Sequence, residues 1–256
     1  MKLMPVGFVS HGAPVSVEDT EWMSQLLRWG RSLANVQSIL VLSAHWVTSE
    51  LAIGPLVATP LIYDFFGFPE RFYRMTYRAL PAPDLARSIE SQVGLGNIVG
   101  MAVRGLDHGM WVPLSGMFPS GNIKVLGMSL PGLDPRRLYA LGKALAPLRA
   151  QGVLILASGG ITHNLFELDP DPLAAPFKWA VEFDRWIEDA LKTGNMEAVL
   201  DFERKGPDPS RAHPSTEHLA PLFVALGAAE GAAHVTCPVE GFRWGSLSLR
   251  SFLFEP

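Results

Sequence analysis

Short apolar runs alternate with amphipathic stretches along this chain, and this alternation leaves only a small set of possible folds. Four runs are brief, rich in β-branched residues and bounded by polar residues or glycine, which predicts buried strands. They cover residues 6–9, 39–42, 123–128 and 153–157. Elsewhere apolar residues recur at spacings of three and four, which predicts helices over residues 19–33, 82–93, 135–148, 175–191, 196–203 and 215–226.

Strands and helices that alternate in this way predict an α/β fold, with a mostly parallel central sheet and helices on both faces. A chain of 256 residues with 48% hydrophobic content can bury the core of a single domain, expected to span residues 1–256. Further strands are expected at 98–103 and, joined by a turn at 241–245, within 234–256. The aromatic residues, prolines and glycines of segment 58–83 predict a long ordered loop.

The charge and cysteine content exclude several classes of protein. The formal net charge is -4 and lysines and arginines form no cluster, so a nucleic-acid partner is not expected. Cys237 is the only cysteine, which excludes an internal disulfide and a thiolate-rich zinc site. No apolar run reaches the ~20 residues of a transmembrane helix, so no membrane association is expected and the cytoplasm is the expected location.

Four of the seven histidines stand where a predicted strand ends or a predicted helix begins: His11, His45, His163 and His218. The carboxyl ends of strands in an open α/β sheet meet at one crevice, where ligands normally bind. Imidazoles that are far apart in sequence but share one crevice are typical of a catalytic metal site. The sequence therefore predicts a metal bound through nitrogen and oxygen at this edge of the sheet.

His11 and His45 are the first candidate ligands, because each follows a predicted strand. They occur in Ser10-His11-Gly12-Ala13-Pro14 and in Ser43-Ala44-His45-Trp46. Gly12 would let backbone or ligand approach closely beside the His11 imidazole. Trp46 either forms a wall of the substrate pocket or packs in the core.

His163 and His108 are candidates for proton transfer. His163 follows the turn Ser158-Gly159-Gly160, and a helix start nearby would favour a neutral imidazole. Such a ring can accept a proton or bind a metal, and acid/base catalysis is the preferred role. His108 lies between Gly105 and Gly109 in a predicted exposed turn, either as a second acid or hydrogen-bond donor or simply facing solvent.

Three further residues are candidates for the same pocket. Glu217 either provides favourable charge at a helix N-terminus or replaces the adjacent His218 as a ligand. His213 lies in the preceding loop, within reach of the pocket. Arg243 either pairs with a substrate carboxylate or lies on the surface.

Six motifs follow one another in an order found in a known family. They are His11-Gly12-Ala13-Pro14, Ser43-Ala44-His45-Trp46, Tyr63-Asp64-Phe65 with Gly67-Phe68-Pro69, Asp107-His108-Gly109, Ser158-Gly159-Gly160 with His163-Asn164-Leu165, and Glu217-His218 with Pro221-Leu222. With these motifs the chain resembles the 4,5-DOPA dioxygenase-like branch of the class III extradiol ring-cleavage dioxygenases, over nearly its whole length.

The resemblance implies a single α/β domain with one divalent metal ion, zinc or iron. By this resemblance the ligands are His11, His45 and His218, the last in the position that a glutamate holds in better-known class III enzymes. His163 and His108 would be the catalytic histidines near the metal. Independently of the resemblance, the aromatic loop from Tyr63 to Tyr77 could shape a pocket for a substituted ring, with Tyr63 and Asp64 as candidate pocket residues.

The activity so implied is metal-dependent extradiol cleavage of the aromatic ring of a DOPA-like catechol, with O₂ as the second substrate. Three neutral histidines depart from the two-histidine, one-carboxylate triad usual for non-haem iron, and also resemble the sites that hold zinc. The alternatives are a zinc-dependent hydrolase and a non-catalytic protein that holds a phenol at a zinc site. Only the dioxygenase would consume oxygen.

Overall fold

The computed structural model describes residues 3–92, 99–100 and 103–256. The strands are β1 (Val6–Ser10), β2 (Ser38–Thr48), β3 (Ala52–Gly54), β4 (Leu80–Pro81), β5 (Val99–Gly100), β6 (Lys124–Pro131), β7 (Val153–Gly159), β8 (His234–Val239), β9 (Phe242–Arg243), β10 (Leu247–Ser248) and β11 (Ser251–Glu255). Of the strand predicted at 98–103, only β5 and residue 103 lie within the described residues, and residue 93 of a predicted helix lies outside them.

Helices connect these strands. The α-helices are α1 (Thr20–Ser32), α2 (Pro83–Gln92), α3 (His108–Met117), α4 (Pro135–Leu145), α5 (Lys178–Lys192), α6 (Met196–Leu200), α7 (Phe202–Lys205), α8 (Pro209–Ala212) and α9 (Ala220–Ala228). Short 3₁₀ helices occur at Pro14–Glu18, Glu70–Arg74, Ala146–Gln151 and Leu165–Glu167. Asp19 and Asp134 begin α1 and α4, since each side chain accepts a backbone N–H of the first turn.

The main sheet has the strand order β5-β3-β6-β2-β7-β1-β11-β8, and β4 also pairs with β6. Its centre, β6-β2-β7-β1, is parallel, whereas β11 and β8 extend one side as antiparallel strands. The predicted single α/β domain with a mostly parallel sheet is therefore confirmed. Because β1, β7 and β2 are parallel neighbours, the segments that follow them leave from the same edge of the sheet.

Each central strand is buried on both faces, and alternate residues belong to different cores. Leu40 and Leu42 of β2 join the core that includes helices α4, α5 and α9. Ile39 and Val41 join the opposite core, which includes α1 and α3. Helices therefore cover both faces, and the carboxyl edge of the sheet remains for a site.

Two elements differ from the prediction in ways that affect the site. The start of helix α3 was expected to lie in an exposed turn marked by Gly105 and Gly109, but all residues of the helix except Ser115 are buried. A helix that is apolar on every side lacks the periodicity that identifies amphipathic helices. Strand β2 was expected to end at Leu42 but continues to Thr48, with a register shift between Leu42 and Val47. The shift marks an irregularity of the kind that redirects side chains near active sites.

The long segment 58–83 packs on α3 through its aromatic residues. Tyr63 and Phe65 both contact the ring of Trp111, and the Trp111 indole N–H donates to the carbonyl of Ile62 at 3.2 Å. The Tyr63 hydroxyl donates to the carbonyl of Met75 across the loop. These contacts hold the residues that follow Tyr63 beside the start of α3.

Within the described residues, no helix combines the length and apolarity needed to cross a bilayer.

Candidate functional site

A cavity of about 660 Å³ opens at the carboxyl edge of the sheet. Its inner wall contains five imidazoles, those of His11, His45, His108, His163 and His218. The volume is within the ~300–1,000 Å³ of typical small-molecule sites. Histidines that are far apart in the chain are thus brought together where the parallel strands end.

Three of these imidazoles form a compact group that we call the histidine cluster: His11, His45 and His218. The nitrogens that each could offer to a metal all lie within 4.8 Å of one another. The Nε2 atoms of His11 and His45 are 3.1 Å apart, and the ring centroids of His45 and His218 are 4.9 Å apart. His11 and His218 are buried, and His45 is partly exposed to the cavity.

The hydrogen bonds behind His11 determine which of its nitrogens faces the cluster. The Ser158 hydroxyl donates to the carbonyl of Gly109, so its oxygen is free to accept from His11 Nδ1–H, 3.1 Å away. His11 Nε2 then carries a lone pair that points towards His45. The Asp64 carboxylate lies 3.6 Å from His45 Nδ1, which favours the proton on that nitrogen. His45 Nε2 then carries a lone pair, as His11 Nε2 does.

The donor set fits a divalent cation. The Nε2 atoms of His11 and His45 are 3.1 Å apart, and lone pairs on both atoms repel unless a proton or a cation lies between them. Both ring nitrogens of His218 are buried and have no hydrogen-bond partner among the described residues. Buried polar atoms without partners are rare in native proteins, and an ion is one of the accepted explanations. Neutral imidazoles are also the form in which histidine binds metals.

The electrostatic environment keeps the cluster neutral. Burial, and then the neighbouring histidines, lower the pKa of both His11 and His218 well below the ordinary value. Burial and His108 lower the pKa of His45 to about 3, although Asp64 acts in the opposite direction. Without a bound ion, the imidazoles therefore carry no proton charge at neutral pH, and their nitrogens are available as ligands.

Two glycines let the backbone approach closely enough to form the cluster. A Cβ on Gly109 would lie 2.5 Å from the Ser43 hydroxyl and 2.9 Å from the His45 ring. A Cβ on Gly159 would lie 2.1 Å from the carbonyl oxygen of His218. Gly109 was expected to mark an exposed turn but instead lies inside α3, against the His45 ring.

His163 stacks on His218, with ring centroids 3.4 Å apart and an angle of 5° between the planes. The predicted reason for its neutrality, a helix start, is wrong, because only the single 3₁₀ turn Leu165–Glu167 follows it. Burial is the main cause instead and, with His108, lowers the pKa of His163 to about 4. A neutral imidazole that lines the cavity beside the cluster can accept a proton.

His108 is the first residue of α3 and is buried beside the cluster. Its Nδ1 lies 2.7 Å from Asp64 Oδ1, and its backbone N–H donates to the same oxygen at 3.1 Å. Burial alone would raise the pKa of Asp64, but the hydrogen bonds and charge of His108 lower it to about 2. An ionised Asp64 holds the proton on His108 Nδ1. In the neutral ring, Nε2 is then the nitrogen that carries the lone pair. His45, Asp64 and His108 form a second group with metal-ligand spacing.

A buried network that sequence reasoning missed supports His45. The Asp107 carboxylate is fully buried and accepts from the Ser43 hydroxyl at 2.8 Å and from Arg104 at 3.0 Å. The Ser43 oxygen in turn accepts the backbone N–H of His45 at 3.1 Å. Burial raises the pKa of Asp107, which Arg104 opposes. The available signal was a serine inside an otherwise apolar strand.

Glu217 lines the cavity, but its carboxylate is directed towards Ser215, whose hydroxyl donates to it at 2.6 Å. The group of potential ligands within the described residues includes His218 and not Glu217. Both residues lie in a turn before α9, which begins at Ala220 rather than at the predicted Ser215. The helix-terminus explanation for Glu217 is therefore weaker than expected.

Four residues expected at the pocket lie outside the cavity lining: Trp46, Tyr63, His213 and Arg243. Trp46 is buried in the core beneath Arg104, and Tyr63 packs on α3. His213 Nε2 is bonded to the carbonyl of Ile161 at 2.8 Å, behind the pocket wall. Arg243 is paired with Asp19. For these residues, the position in the chain predicted that they would lie near the cavity, but it did not predict the direction of their side chains.

Comparisons with known proteins place this chain among aromatic ring-opening dioxygenases. A family model described as the catalytic LigB subunit of aromatic ring-opening dioxygenase matches residues 7–244. A Beta vulgaris protein named 4,5-DOPA dioxygenase extradiol is 41% identical over 231 residues, 87% of this chain and 85% of the relative. An Escherichia coli K12 protein of the same name is 34% identical, over 97% and 93% of the two chains.

A solved structure gives the same result for the fold. The crystal structure of an uncharacterized Escherichia coli K12 protein superposes with a TM-score of 0.82 and 28% identity. The alignment covers 98% of this chain and 99% of that one. The similarity thus extends over the whole domain, including the carboxyl edge of the sheet.

Proposed function

The chain belongs to the LigB family of aromatic ring-opening dioxygenases, and on that premise we propose that it opens the ring of a catechol with O₂. Membership confirms the resemblance in the six motifs and the prediction of an extradiol ring-opening enzyme. We assign the activity to one catalytic domain over residues 1–256, with one divalent metal ion held by His11, His45 and His218. The relatives' names suggest a DOPA-like catechol.

The observation that carries this proposal is the histidine cluster, in which the Nε2 atoms of His11 and His45 lie 3.1 Å apart and, among the described residues, neither ring nitrogen of His218 has a hydrogen-bond partner. When bound, the metal supplies the Lewis acidity and electron transfer that ring cleavage by O₂ requires. Glu217 is the alternative third ligand, and it would require a different side-chain rotamer from the observed one.

The remaining residues provide proton transfer. His163, neutral and exposed to the cavity, is positioned to accept the proton of a catechol hydroxyl oxygen and later return it. His108, whose Nδ1 proton is held by Asp64, presents Nε2 as a second site for proton exchange. Phe65 and Phe68 line the same cavity and keep water away from the ring.

A zinc hydrolase remains the second candidate, because three neutral histidines are also a zinc-binding set. The test is to load the purified protein anaerobically with Fe(II) or with Zn²⁺ and add 4-methylcatechol. We expect oxygen uptake and a yellow ring-cleavage product only with Fe(II). Ester hydrolysis by the zinc form without any oxygen uptake by the iron form would support the hydrolase. Tight catechol binding without turnover of either kind would support a binding protein.

A further inference from the structure

The outer part of the cavity is apolar although it is exposed to solvent. We call Phe66, Leu165 and Leu168 the apolar rim. All three line the cavity, and their exposed fractions are 90%, 56% and 41%. Trp244 and Leu249 continue this surface inward. Exposed apolar side chains that gather at the mouth of a cavity are typical of ligand-binding surfaces.

The charged groups of the cavity are both acidic, as far as the described lining residues extend. Asp64 is bonded to His108, whereas Glu217 is partly exposed, accepts from the Ser215 hydroxyl and lies 4.0 Å from His218 Nδ1. A carboxylate on a substrate would thus find no lysine or arginine among the described lining residues. Removal of a carboxylate from water without a cationic or hydrogen-bonding partner is costly.

The arginines adjacent to lining residues already have acidic partners. Arg243, next to Trp244, donates to Asp19 at 2.6 Å, and its Nη1 donates to the carbonyl of Phe242. Arg250, next to Leu249, is bonded to the buried Asp184 at 2.8 Å and pairs with Glu188 at 3.0 Å. Acidic partners thus already balance both guanidinium charges, and neither arginine is among the residues that line the cavity.

From this arrangement we infer that the preferred substrate is a catechol whose ring substituent is uncharged and apolar and lies against the apolar rim. The inference rests on the proposed function and specifies its substrate class. It differs from what the names of the relatives say of those proteins, since DOPA carries a carboxylate. Removal of apolar surface from water is favourable in proportion to the area buried, so an alkyl substituent gains affinity on the rim.

Three catechols of equal chain length test the inference: 4-propylcatechol, 3-(3,4-dihydroxyphenyl)propanoate and 2-(3,4-dihydroxyphenyl)ethylamine. They end in a methyl, a carboxylate and an ammonium group. We expect kcat/KM of the Fe(II)-loaded enzyme to be highest for the propyl compound and lower by ~10-fold or more for the carboxylate, a span typical of single-group differences in a pocket. Binding to the Zn²⁺-loaded protein should follow the same order of Kd.

Leu168→Arg provides the matched variant, because it adds a cation to the rim. It should raise the ratio of kcat/KM for the carboxylate to that for the propyl compound by ~10-fold. Leu173→Arg is the control, since Leu173 is 74% exposed and lies outside the lining. The control should leave this ratio unchanged.

The outcomes separate this inference from the proposed function. If kcat/KM for the carboxylate compound equals or exceeds that for the propyl compound, the inference is wrong, but the proposed ring-opening function stands. An ammonium compound that is clearly the best substrate would also overturn it, in favour of a cation site at Glu217. If none of the three catechols consumes oxygen with the Fe(II)-loaded protein, the proposed function fails, and the inference fails with it.

Discussion

The two edges of the central sheet each have a large cavity, but the cavities differ in what lines them. The cavity at the carboxyl edge measures about 660 Å³ and contains five imidazoles. The cavity at the amino edge is larger, about 1120 Å³, and its lining includes Pro5, Gln37 and Gly152, which precede β1, β2 and β7. Among its described lining residues there is no histidine. Cavity volume therefore does not identify the edge with the candidate site. The gathering of imidazoles that could bind a metal does.

The largest expected effect at the carboxyl edge follows removal of a proposed ligand. His11→Ala and His45→Ala should each strip the metal and abolish catechol-dependent oxygen uptake, because neither leaves three imidazoles in the cluster. The fold should be mostly retained, since both residues lie at the cavity rather than within the strands' packed faces. Metal content after dialysis and circular dichroism measure these two results. Full metal occupancy in both variants would contradict the assignment of ligands.

His163 provides the next largest effect. If it transfers protons, His163→Ala should keep the metal and catechol binding but reduce turnover by roughly 10²–10⁴-fold, the usual range for general acid–base catalysis. If His163 is instead a metal ligand, or supports His218 by stacking on it, His163→Ala should release the metal. Metal content and turnover must be measured on the same preparation. A variant that retains both would identify His163 as structural.

Much of the carboxyl edge was predictable from sequence, and the reasons are specific. The short apolar runs at residues 6–9 and 153–157, which lie between amphipathic stretches, are sufficient to place His11 and His163 beyond parallel strands, because buried strands and amphipathic helices have distinct patterns. Helix α3 was not predictable, because it is apolar on every side and contains Pro113. Its start determines where His108 lies, so that histidine was expected in an exposed turn.

Side-chain direction and buried partners were the other limits. His213 lies five residues before His218 but faces Ile161 and the rings of Phe183 and Phe202. A sequence gives the distance along the chain between two histidines, not the side of the backbone to which each is directed. Ser158 could be recognised as a partner of His11 only after β1 and β7 were paired, because hydrogen bonds between strands depend on register.

Asp64 offers a smaller effect at the same edge. Asp64→Asn keeps the size of the side chain but removes the charge that holds the proton on His108 Nδ1. We expect a reduction of kcat by ~10–100-fold, the range for carboxylates that orient histidines near a metal, together with a changed pH profile of kcat. Asp84→Asn is the matched control, because Asp84 is exposed and pairs with Arg87 and Lys124 on the surface. Equal kcat and an unchanged pH profile in both variants would exclude a positioning role for Asp64.

The smallest expected effect is at the amino edge. Ser32 lines the larger cavity and is exposed at the end of α1, where its hydroxyl donates to the carbonyl of Trp29 at 2.7 Å. Ser32→Ala removes this hydrogen bond but introduces a better helix former, so the free energy of unfolding should change by no more than ~0.5 kcal/mol. Because catalysis is assigned to the opposite edge, kcat/KM for 4-methylcatechol should match that of the parent protein. Thermal unfolding and oxygen uptake test both statements, and a tenfold loss of turnover at unchanged Tm would show that the amino edge also takes part in the reaction.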